Sequence, residues 1–326
     1  MSVAVSIVIV CMDNLKNLYP CLNSIRKYTT VSYETFVVAY LFTPENLAKA
    51  KADFPWVNFV ESNEIRGFSE NNNLALRQAN GKYCFVVNDD TEMKMPVIDE
   101  LVKTIESLSD NVAIVSPVLT YSDGRVQVCG RPYEDWKTVI RNHLHLGNKK
   151  NIRKYCGRQG VFQTYNIIGA AFLIKTEIFR TFGWFDERYF FCPEDIALSD
   201  TLNKAGYQCF VDADVFIIHY EGMSSKSLSL TQTATRPAQA KGGVIFFSQG
   251  KKSLYVLMAL WHWLHSFAQF IVHRTKGSFQ KKPNANYILS IGDWNICKSV
   301  LTRNSPKEIF TKYFVQINPK MKEGKK

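Results

Sequence analysis

Four apolar, β-branched segments in the first ninety residues alternate with segments of helical pattern, and this alternation constrains the fold more than any other feature. The segments are residues 3–11 (VAVSIVIVC), 34–42 (ETFVVAYLF), 56–62 (WVNFVES) and 83–88 (YCFVVN). Asp13 or Asn14 is expected to cap the first intervening helix. Strands separated by helices predict an α/β domain with a mostly parallel central sheet, right-handed crossovers and helices on its faces.

The fourth strand runs directly into Asn88-Asp89-Asp90. In parallel α/β sheets, ligands bind beyond the carboxyl ends of the strands, which is where this acidic pair falls. Hard carboxylate oxygens suit Mg²⁺ or Mn²⁺, which bind through one or two carboxylates together with substrate phosphates. The alternative is a solvated turn that caps a helix running from Met95. The location favours a divalent metal that binds a substrate phosphate group.

The following hundred residues carry two further chemical signals. Strand patterns are expected at 112–119, 166–175 and 211–219, with a long functional loop region at 131–165. Glu194-Asp195 opens a helix that Pro193 begins and Gly206 ends. Acids in a first turn stabilise a helix by about 0.3–1 kcal/mol, but a carboxylate fixed there is also well aimed to act as a general base. His219 ends the last strand, either as a hydrogen-bonded structural residue or as a ligand.

The C-terminal region combines an apolar segment with a basic excess. Residues 253–272 contain no Asp, Glu, Lys or Arg, and residues 273–326 hold twelve Lys and Arg against three Asp and Glu, a net charge of +9. One polar stripe runs along the predicted helix: His262, His265, Ser266, Gln269 and His273. Such a helix with basic flanks fits an anionic membrane interface, with packing on the catalytic domain and a true membrane span as alternatives.

The cysteines and the N-terminus indicate the compartment. Eight cysteines are present, none in a CxxC pattern, and Cys11 and Cys84 lie within apolar strand segments. The start MSVAVSIVIVC lacks the basic region of a signal peptide. We therefore expect a reduced, cytoplasmic chain, peripheral on the inner face of the membrane if the C-terminal helix binds there.

Six segments, in this order, resemble the family 2 glycosyltransferases, nearest to the rhamnosyltransferase-like and galactofuranosyltransferase-like members. The segments are VSIVIV (5–10), ESNEIRGFSENNNLAL (61–76), VVNDDTEM (86–93), NIIGAAFLIK (166–175), GWFDERYFFCPEDIALSDTLNKAGY (183–207) and HYEGMS (219–224). The resemblance implies the GT-A fold, with a Rossmann-like sheet in a catalytic domain at 1–228. A nucleotide-sugar-binding half (1–118) and an acceptor half (119–228) would precede a helical, basic region at 229–326.

The resemblance also implies roles for individual residues in the transfer of a sugar from a nucleotide-diphosphate sugar to an acceptor hydroxyl. One base and one in-line attack predict inversion at the anomeric carbon, with retention left open, and the apolar, basic C-terminal region suggests a glycan or lipid-linked glycan as the acceptor. Asp195, paired with Glu194, would be the general base. Mn²⁺ or Mg²⁺ would be held by Asp90, the first choice as ligand, with Asp89 and His219. The donor side would comprise Asp13, Gly67, Phe68, Asn73, Asn88 and Asp89. The acceptor side would comprise Gly169, Ala170, Trp184, Asp186 and Glu187.

The sequence departs from the family pattern where the nucleotide base would bind. No Asp follows the second strand, Ala75 replaces a frequent Gly, and the first strand ends in Cys11-Met12-Asp13-Asn14. UDP, dTDP and GDP therefore all remain open as the donor nucleotide.

The sequence also bears on other functions. A sugar nucleotidyltransferase normally has an early Gly-rich loop, and a dehydrogenase needs GxGxxG after the first strand; neither is present. A catalytically silent nucleotide-sugar or membrane-binding module stays as the alternative. A nucleic-acid partner is not expected, because a basic run alone is more often a solvated or membrane-facing surface.

Overall fold

The computed structural model describes residues 3–127, 129–146, 155–220, 230–278 and 285–318. The chain forms two compact units. The first unit is drawn from Met1–Tyr133, Asn148–Asp186 and Glu194–Glu221, and the second from Glu134–Gly147, Glu187–Pro193 and Gly222–Lys326. The end of the predicted HYEGMS motif, residues 221–224, lies outside the described residues.

The first unit contains one sheet, to which nine strands of the described residues contribute. They are β1 (Val5–Cys11), β2 (Tyr33–Tyr40), β3 (Asn58–Ser62), β4 (Tyr83–Asn88), β5 (Thr91–Glu92), β6 (Val112–Thr120), β7 (Val161–Thr164), β8 (Ala171–Lys175) and β9 (Gln208–His219). The strand order is β3-β2-β1-β4-β8-β6-β9-β5, and β7 pairs with β9. The first four strands are parallel, as the alternation predicts. β8 is antiparallel to both of its neighbours.

Helices cover the sheet, so the α/β prediction with a central sheet flanked by helices is confirmed. In the first unit they are α1 (Leu15–Tyr28), α2 (Pro44–Asp53), α3 (Phe68–Leu76), α4 (Val97–Ser107), α6 (Thr176–Thr181) and α7 (Glu194–Lys204), while α5 (Trp136–His143) belongs to the second unit. Asn14 caps α1, because its side chain accepts the backbone N–H of Asn17. β1 and β4 are almost wholly buried, which explains why they are apolar without alternation.

Several boundaries differ from the sequence expectation. β2 ends at Tyr40 rather than at 42, and β9 begins at Gln208 rather than at 211. The differences around β8 and within residues 131–165 bear on the site. β8 begins at Ala171 rather than at 166, since the preceding segment is bonded elsewhere: the Ile167 N–H donates to Ser199 Oγ and the Gly169 N–H to Asp195. Residues 131–165 are not entirely loop. They include α5, whose N-cap Asp135 accepts the Thr138 N–H, and the edge strand β7.

The described part of the second unit is mainly helical, apart from turns and the segment Glu187–Pro193. Besides α5 it contains α8 (Gln232–Phe247), α9 (Lys252–Ser278), α10 (Ala285–Ser299) and α11 (Pro306–Ile317). The predicted apolar helix is α9, and it packs against α8 and α10. Among the described helices, Lys252–Gly277 is long and apolar enough to cross a membrane, judged by length and composition alone.

The polar stripe of α9 faces the interior of its unit rather than water, an orientation that the sequence analysis had left open. His273 Nδ1 lies 2.7 Å from Asp293 Oδ2 on α10, and Ser266 is buried. His265 stacks on His143 of α5 with ring centroids 4.0 Å apart. The packed side is therefore the polar one, because it finds hydrogen-bonding and stacking partners on neighbouring helices, and the apolar side remains exposed.

Candidate active site

Asp90 and His219 lie side by side at the carboxyl edge of the sheet. Asp90 follows β4, and the antiparallel pairing of Thr91 with His219 draws the end of β9 alongside it. The Tyr220 N–H donates to the Asp90 carbonyl over 2.8 Å, and His219 Nε2 lies 3.4 Å from Asp90 Oδ1. Both side chains are largely buried. Two residues that are 129 positions apart in sequence thus present a carboxylate and an imidazole to one point.

Gln127 fixes the orientation of the imidazole. Its side-chain Nε2 donates to the His219 carbonyl over 2.8 Å, so its Oε1 is the atom that faces His219 Nδ1, at 3.0 Å. Nδ1 therefore donates to Oε1, and in the neutral tautomer Nε2 carries a lone pair directed at Asp90. Gln127 was not singled out from the sequence, because its burial and its contact with His219 appear only in the folded chain.

Asp90 and His219 offer ligand atoms of the kind that bind a divalent cation together with a diphosphate. A carboxylate oxygen and an imidazole nitrogen face each other, and both accept rather than donate in the neutral tautomer of His219. Among the described residues, no group of three or more His, Cys, Asp or Glu side chains is arranged to hold a metal ion. Two protein ligands suffice where substrate phosphates and water complete the coordination, as is usual for Mg²⁺.

Asp89 lies on the other side of the acidic motif, toward the end of β1. Burial disfavours its charged form, the Cys11 thiol favours that form, and the neighbouring Asp90 carboxylate repels it. The alternative that this acidic pair caps the next helix is not what the structure shows. α4 begins at Val97 after Pro96, and no side chain caps its first turn.

Asp89 yields a prediction about pH that requires no substrate. Burial raises the pKa of Asp89 from 3.8 to about 7, and repulsion by Asp90 adds to this rise. Between about pH 4 and about pH 7, Asp89 therefore keeps its proton in the folded protein but has lost it in the unfolded chain. The contribution of this group to the free energy of unfolding falls as the pH rises through that range. In EDTA, we expect urea denaturation to show a larger loss of stability between about pH 5 and about pH 8 in the wild type than in Asp89→Asn. Identical pH dependence in the two proteins would contradict this assignment.

Asp195 occupies the first turn of α7, as predicted, and its carboxylate is held by two donors from elsewhere in the unit. The Gly169 N–H donates to Oδ2 over 3.1 Å, and Arg131 Nη2 donates to the same oxygen over 2.6 Å. The preceding Glu194 is also buried. Arg131 was not singled out from the sequence, because it lies within a stretch that shows no clear periodicity.

A short path of backbone contacts links Asp195 to the acidic motif. The Asn88 N–H donates to the Ala170 carbonyl over 2.9 Å, and the adjacent Gly169 contacts Asp195. The structure therefore brings together three parts of the predicted site: the end of β4, the segment before β8 and the start of α7. An acceptor bound beside Asp195 would lie close to a donor held at the end of β4.

Gly169 is a position where one added methyl group should disturb the site. A Cβ atom there would lie 3.2 Å from Asp195 Cβ, a contact that requires Asp195 to shift by a few tenths of an ångström. We expect Gly169→Ala to lower turnover by about tenfold or more, because small displacements of a reacting group are costly. The matched control is Gly243→Ala, where the nearest atom to the added Cβ lies at 3.9 Å. Equal turnover in the two variants would show that the placement of Asp195 is unimportant.

The residues predicted for the donor side have defined local roles. Asp13 accepts hydrogen bonds from Asn46 Nδ2 and the Thr43 N–H, which ties the end of β1 to the start of α2. Gly67 is the N-cap residue of α3. Phe68 packs edge-on against Phe185, with ring centroids 5.7 Å apart.

Asn73 is fully buried and bonded to the backbone. Its Nδ2 donates to the Phe185 carbonyl over 2.9 Å, and its Oδ1 accepts the Phe185 N–H over 3.1 Å. A direct contact between Asn73 and a donor would require these two hydrogen bonds to break. In the structure its side chain instead positions the turn that precedes the predicted acceptor residues.

Trp184 and Asp186 line a depression of the first unit together with Ala197 and Leu198 of α7. This groups the predicted WFDE segment with the helix that carries Asp195. Glu187, the last residue of the WFDE segment, belongs to the second unit. Gly169 and Ala170 lie before β8, where the contacts to Asp195 and Asn88 are made.

A family model describing "Glycosyl transferase family 2" matches residues 6–183, which is more than half of the chain. The chain belongs to glycosyl transferase family 2. The matched stretch of this family 2 chain includes the acidic motif and Gly169, and it ends before Asp195 and His219. The finer resemblance to rhamnosyltransferase-like and galactofuranosyltransferase-like members stays a prediction.

Among curated proteins, the family 2 chain is similar to the O-antigen biosynthesis protein RfbC of Myxococcus xanthus, with 25% identity over 195 residues. That alignment covers 60% of this chain and 14% of the relative, so the chain spans about a seventh of the relative's length.

Two solved structures share the fold. The mannosyltransferase PcManGT of Pyrobaculum calidifontis, in complex with GDP-Man and Mn²⁺, matches with a TM-score of 0.53 and 15% identity, over 97% of this chain and 87% of that one. GalNAc-T7 with UDP, GalNAc and Mn²⁺ matches with a TM-score of 0.54 and 17% identity, over 67% of this chain and 43% of that one. Because identity is low, these matches show the GT-A fold of the family 2 chain and nothing finer.

Proposed function

We propose that this protein transfers a sugar from a nucleoside-diphosphate donor to an acceptor hydroxyl, in a reaction that depends on a divalent metal and inverts the anomeric carbon. The observation that carries the proposal is the placement of Asp90 beside His219 at the carboxyl edge of the sheet, 3.4 Å apart. The contact between Asn88 and Ala170 joins this pair to Asp195. A site for the departing diphosphate and a base for the attacking hydroxyl would then be adjacent.

Asp90 and His219 would hold the metal, Mn²⁺ or Mg²⁺, with Asp89 as a further ligand that would lose its proton when the ion binds. The chemistry that such an ion supplies when bound is stabilisation of the charge developing on the departing diphosphate. Gln127 would hold His219 in the tautomer that presents Nε2 to the ion, a common arrangement for metal-binding histidines. Asn88, with Asp13, Gly67 and Phe68 on the donor side, would border the nucleotide. Asn73 would support that side through its two bonds to the Phe185 backbone.

Asp195 would remove the proton of the acceptor hydroxyl. Its Oδ2 accepts the bonds from Gly169 and Arg131, while its Oδ1 accepts one backbone bond, from Ile196 over 2.8 Å. A carboxylate offers about four acceptor positions, so capacity for the proton remains. With one base and one in-line attack, the configuration at the anomeric carbon inverts. Glu194 would support Asp195 from the same turn.

Arg131 has a feature that supports an acceptor site beside Asp195. Its Nε is buried and finds no hydrogen-bond partner among the described residues, although its Nη2 is bonded to Asp195. A buried donor without a partner is costly, so an oxygen of a bound acceptor would relieve it. The other acceptor residues would be Gly169, Ala170, Trp184, Asp186 and Glu187.

The similar proteins support the class of donor and acceptor. PcManGT and GalNAc-T7 are seen with a GDP or UDP group, and dTDP stays open for this chain. The similarity to an O-antigen biosynthesis protein supports a glycan or lipid-linked glycan acceptor in polysaccharide biosynthesis. We place the reaction in the cytoplasm, and we retain a rhamnosyltransferase-like or galactofuranosyltransferase-like specificity as part of the proposal.

The test is release of nucleoside diphosphate from a panel of UDP-, dTDP- and GDP-sugars, with water as the acceptor. Each donor is incubated with the full-length protein in Mn²⁺ and again in EDTA. We expect release from one nucleotide class, in Mn²⁺ only. Release that is equal in EDTA would contradict the metal requirement. Absence of both release and nucleotide binding, in folded protein, would favour a catalytically silent module instead.

A further inference from the structure

We propose that the exposed side of α9 docks on the surface of an anionic membrane. The inference concerns the second unit only and does not depend on the proposed function. The docking side, called here the outer face, consists of Val256, Leu257, Leu260, Leu264, Phe267, Ile271 and Val272, with Ala268 among them. Their spacing of three and four residues places them on one side of the helix.

The outer face is apolar and continuous. Its seven large side chains are between 37% and 57% exposed, and each exposed position from Val256 to Val272 carries an apolar side chain. At 1.5 Å per residue the stripe is about 24 Å long. An apolar surface of this size on a soluble protein marks an interaction site.

The opposite side of α9 is committed to its own unit. His273 is bonded to Asp293, the Trp261 Nε1–H donates to His143 Nδ1 over 3.0 Å, and the Trp263 carbonyl accepts the Cys297 thiol. A helix held in this way along one side cannot be surrounded by lipid. It can lie in the plane of a membrane interface with its free side in the acyl region, as amphipathic helices do.

Positive charge at both ends of the helix selects an anionic surface. Lys251 and Lys252 are exposed at the start of α9, and Arg274 and Lys276 are exposed near its end. No Asp or Glu occurs between residues 252 and 278. Anionic headgroups would meet these cations at both ends of the apolar stripe. Trp294 is 42% exposed, and its ring centroid lies 5.0 Å from that of Phe270. It adds an aromatic group of the kind that is enriched at membrane interfaces.

A second copy of the chain is the less suitable occupant. If two outer faces packed antiparallel, Lys251 and Lys252 of one copy would lie beside Arg274 and Lys276 of the other. If they packed parallel, each basic end would meet its own equivalent. Either arrangement places cations against cations, which is destabilising, whereas an anionic membrane neutralises both ends.

The test is co-sedimentation of the full-length protein with vesicles, either of phosphatidylcholine alone or of phosphatidylcholine with a minority of phosphatidylglycerol. We expect binding to the second kind that weakens as salt is added. Leu264→Glu, which places a charge in the middle of the outer face, should lower the partition coefficient by about tenfold or more. Val256→Glu places a charge near the N-terminal end of the outer face and should also weaken binding.

Leu301→Glu is the matched control, because Leu301 is 51% exposed in the same unit but lies in the turn after α10. It should bind vesicles as the wild type does. Cooperative thermal unfolding and unchanged nucleoside diphosphate release confirm that each variant is folded. The proposal is overturned if the wild type ignores anionic vesicles, or if Leu301→Glu loses binding as fully as Leu264→Glu. It is equally overturned if light scattering shows a dimer that Leu264→Glu dissociates, since the outer face would then bind a second copy.

Discussion

Asp195→Asn is expected to lower turnover by about 10²–10⁴-fold while leaving nucleotide affinity unchanged, since this is the usual contribution of a general base. The amide has the shape of the carboxylate and its oxygen can still accept the Gly169 N–H, but it cannot take up the acceptor proton. Turnover is measured as nucleoside diphosphate release in Mn²⁺, and nucleotide affinity by isothermal titration calorimetry of the same preparations.

The control for this variant lies on the same helix. Asp200 is buried like Asp195, and it accepts the Tyr165 hydroxyl over 2.9 Å and pairs with Lys204 over 2.6 Å. Asp200→Asn makes the same chemical change five residues away, and we expect its turnover to stay within a few-fold of the wild type. A wild-type rate in Asp195→Asn would exclude Asp195 as the base.

Asp90→Asn is expected to abolish the metal dependence of nucleotide binding. Without the Asp90 carboxylate, His219 is the one member of the pair that can still bind the ion strongly. The positive charge of the ion is then also poorly neutralised. We expect the affinity for the nucleoside diphosphate in Mn²⁺ to fall by about 100-fold, to the level that the wild type shows in EDTA. Calorimetric titrations of both proteins in both buffers provide the comparison.

A matched control for this change is available on β9. Asp212 is buried, accepts the Thr104 hydroxyl and lies on the strand that carries His219. Asp212→Asn should retain metal-dependent binding even if its unfolding temperature falls. If Asp90→Asn instead binds nucleotide in Mn²⁺ as tightly as the wild type, Asp90 is not a metal ligand.

Local sequence patterns predicted much of the first unit. β4 occupies the predicted residues, and β9 ends at His219 as expected, because apolar β-branched runs and their polar ends are readable without tertiary information. The antiparallel setting of β8 was not readable in this way. Strand direction depends on long-range contacts, such as those between the backbones of Arg131 and Asn166, that local patterns do not reveal.

The parts of the site that sequence reasoning missed are those whose function depends on a distant partner. Gln127 and Arg131 are unremarkable polar residues until folding places them against His219 and Asp195, 92 and 64 positions away. The stripe on α9 illustrates the same limit. Periodicity shows that one side of a helix is polar, but it cannot tell which side packs, because the partners of His265 and His273 lie on other helices.

The measurement that tests the central claim most directly is a thermal-shift panel of the wild-type protein with UDP, dTDP, GDP and CMP, each in Mn²⁺ and in EDTA. If Asp90 and His219 hold a metal that binds a diphosphate, one nucleoside diphosphate will raise the unfolding temperature in Mn²⁺ and not in EDTA. CMP, which has no diphosphate, will produce the smallest shift. Shifts that are the same in both buffers, or that are absent for all four nucleotides in well-folded protein, would contradict the account.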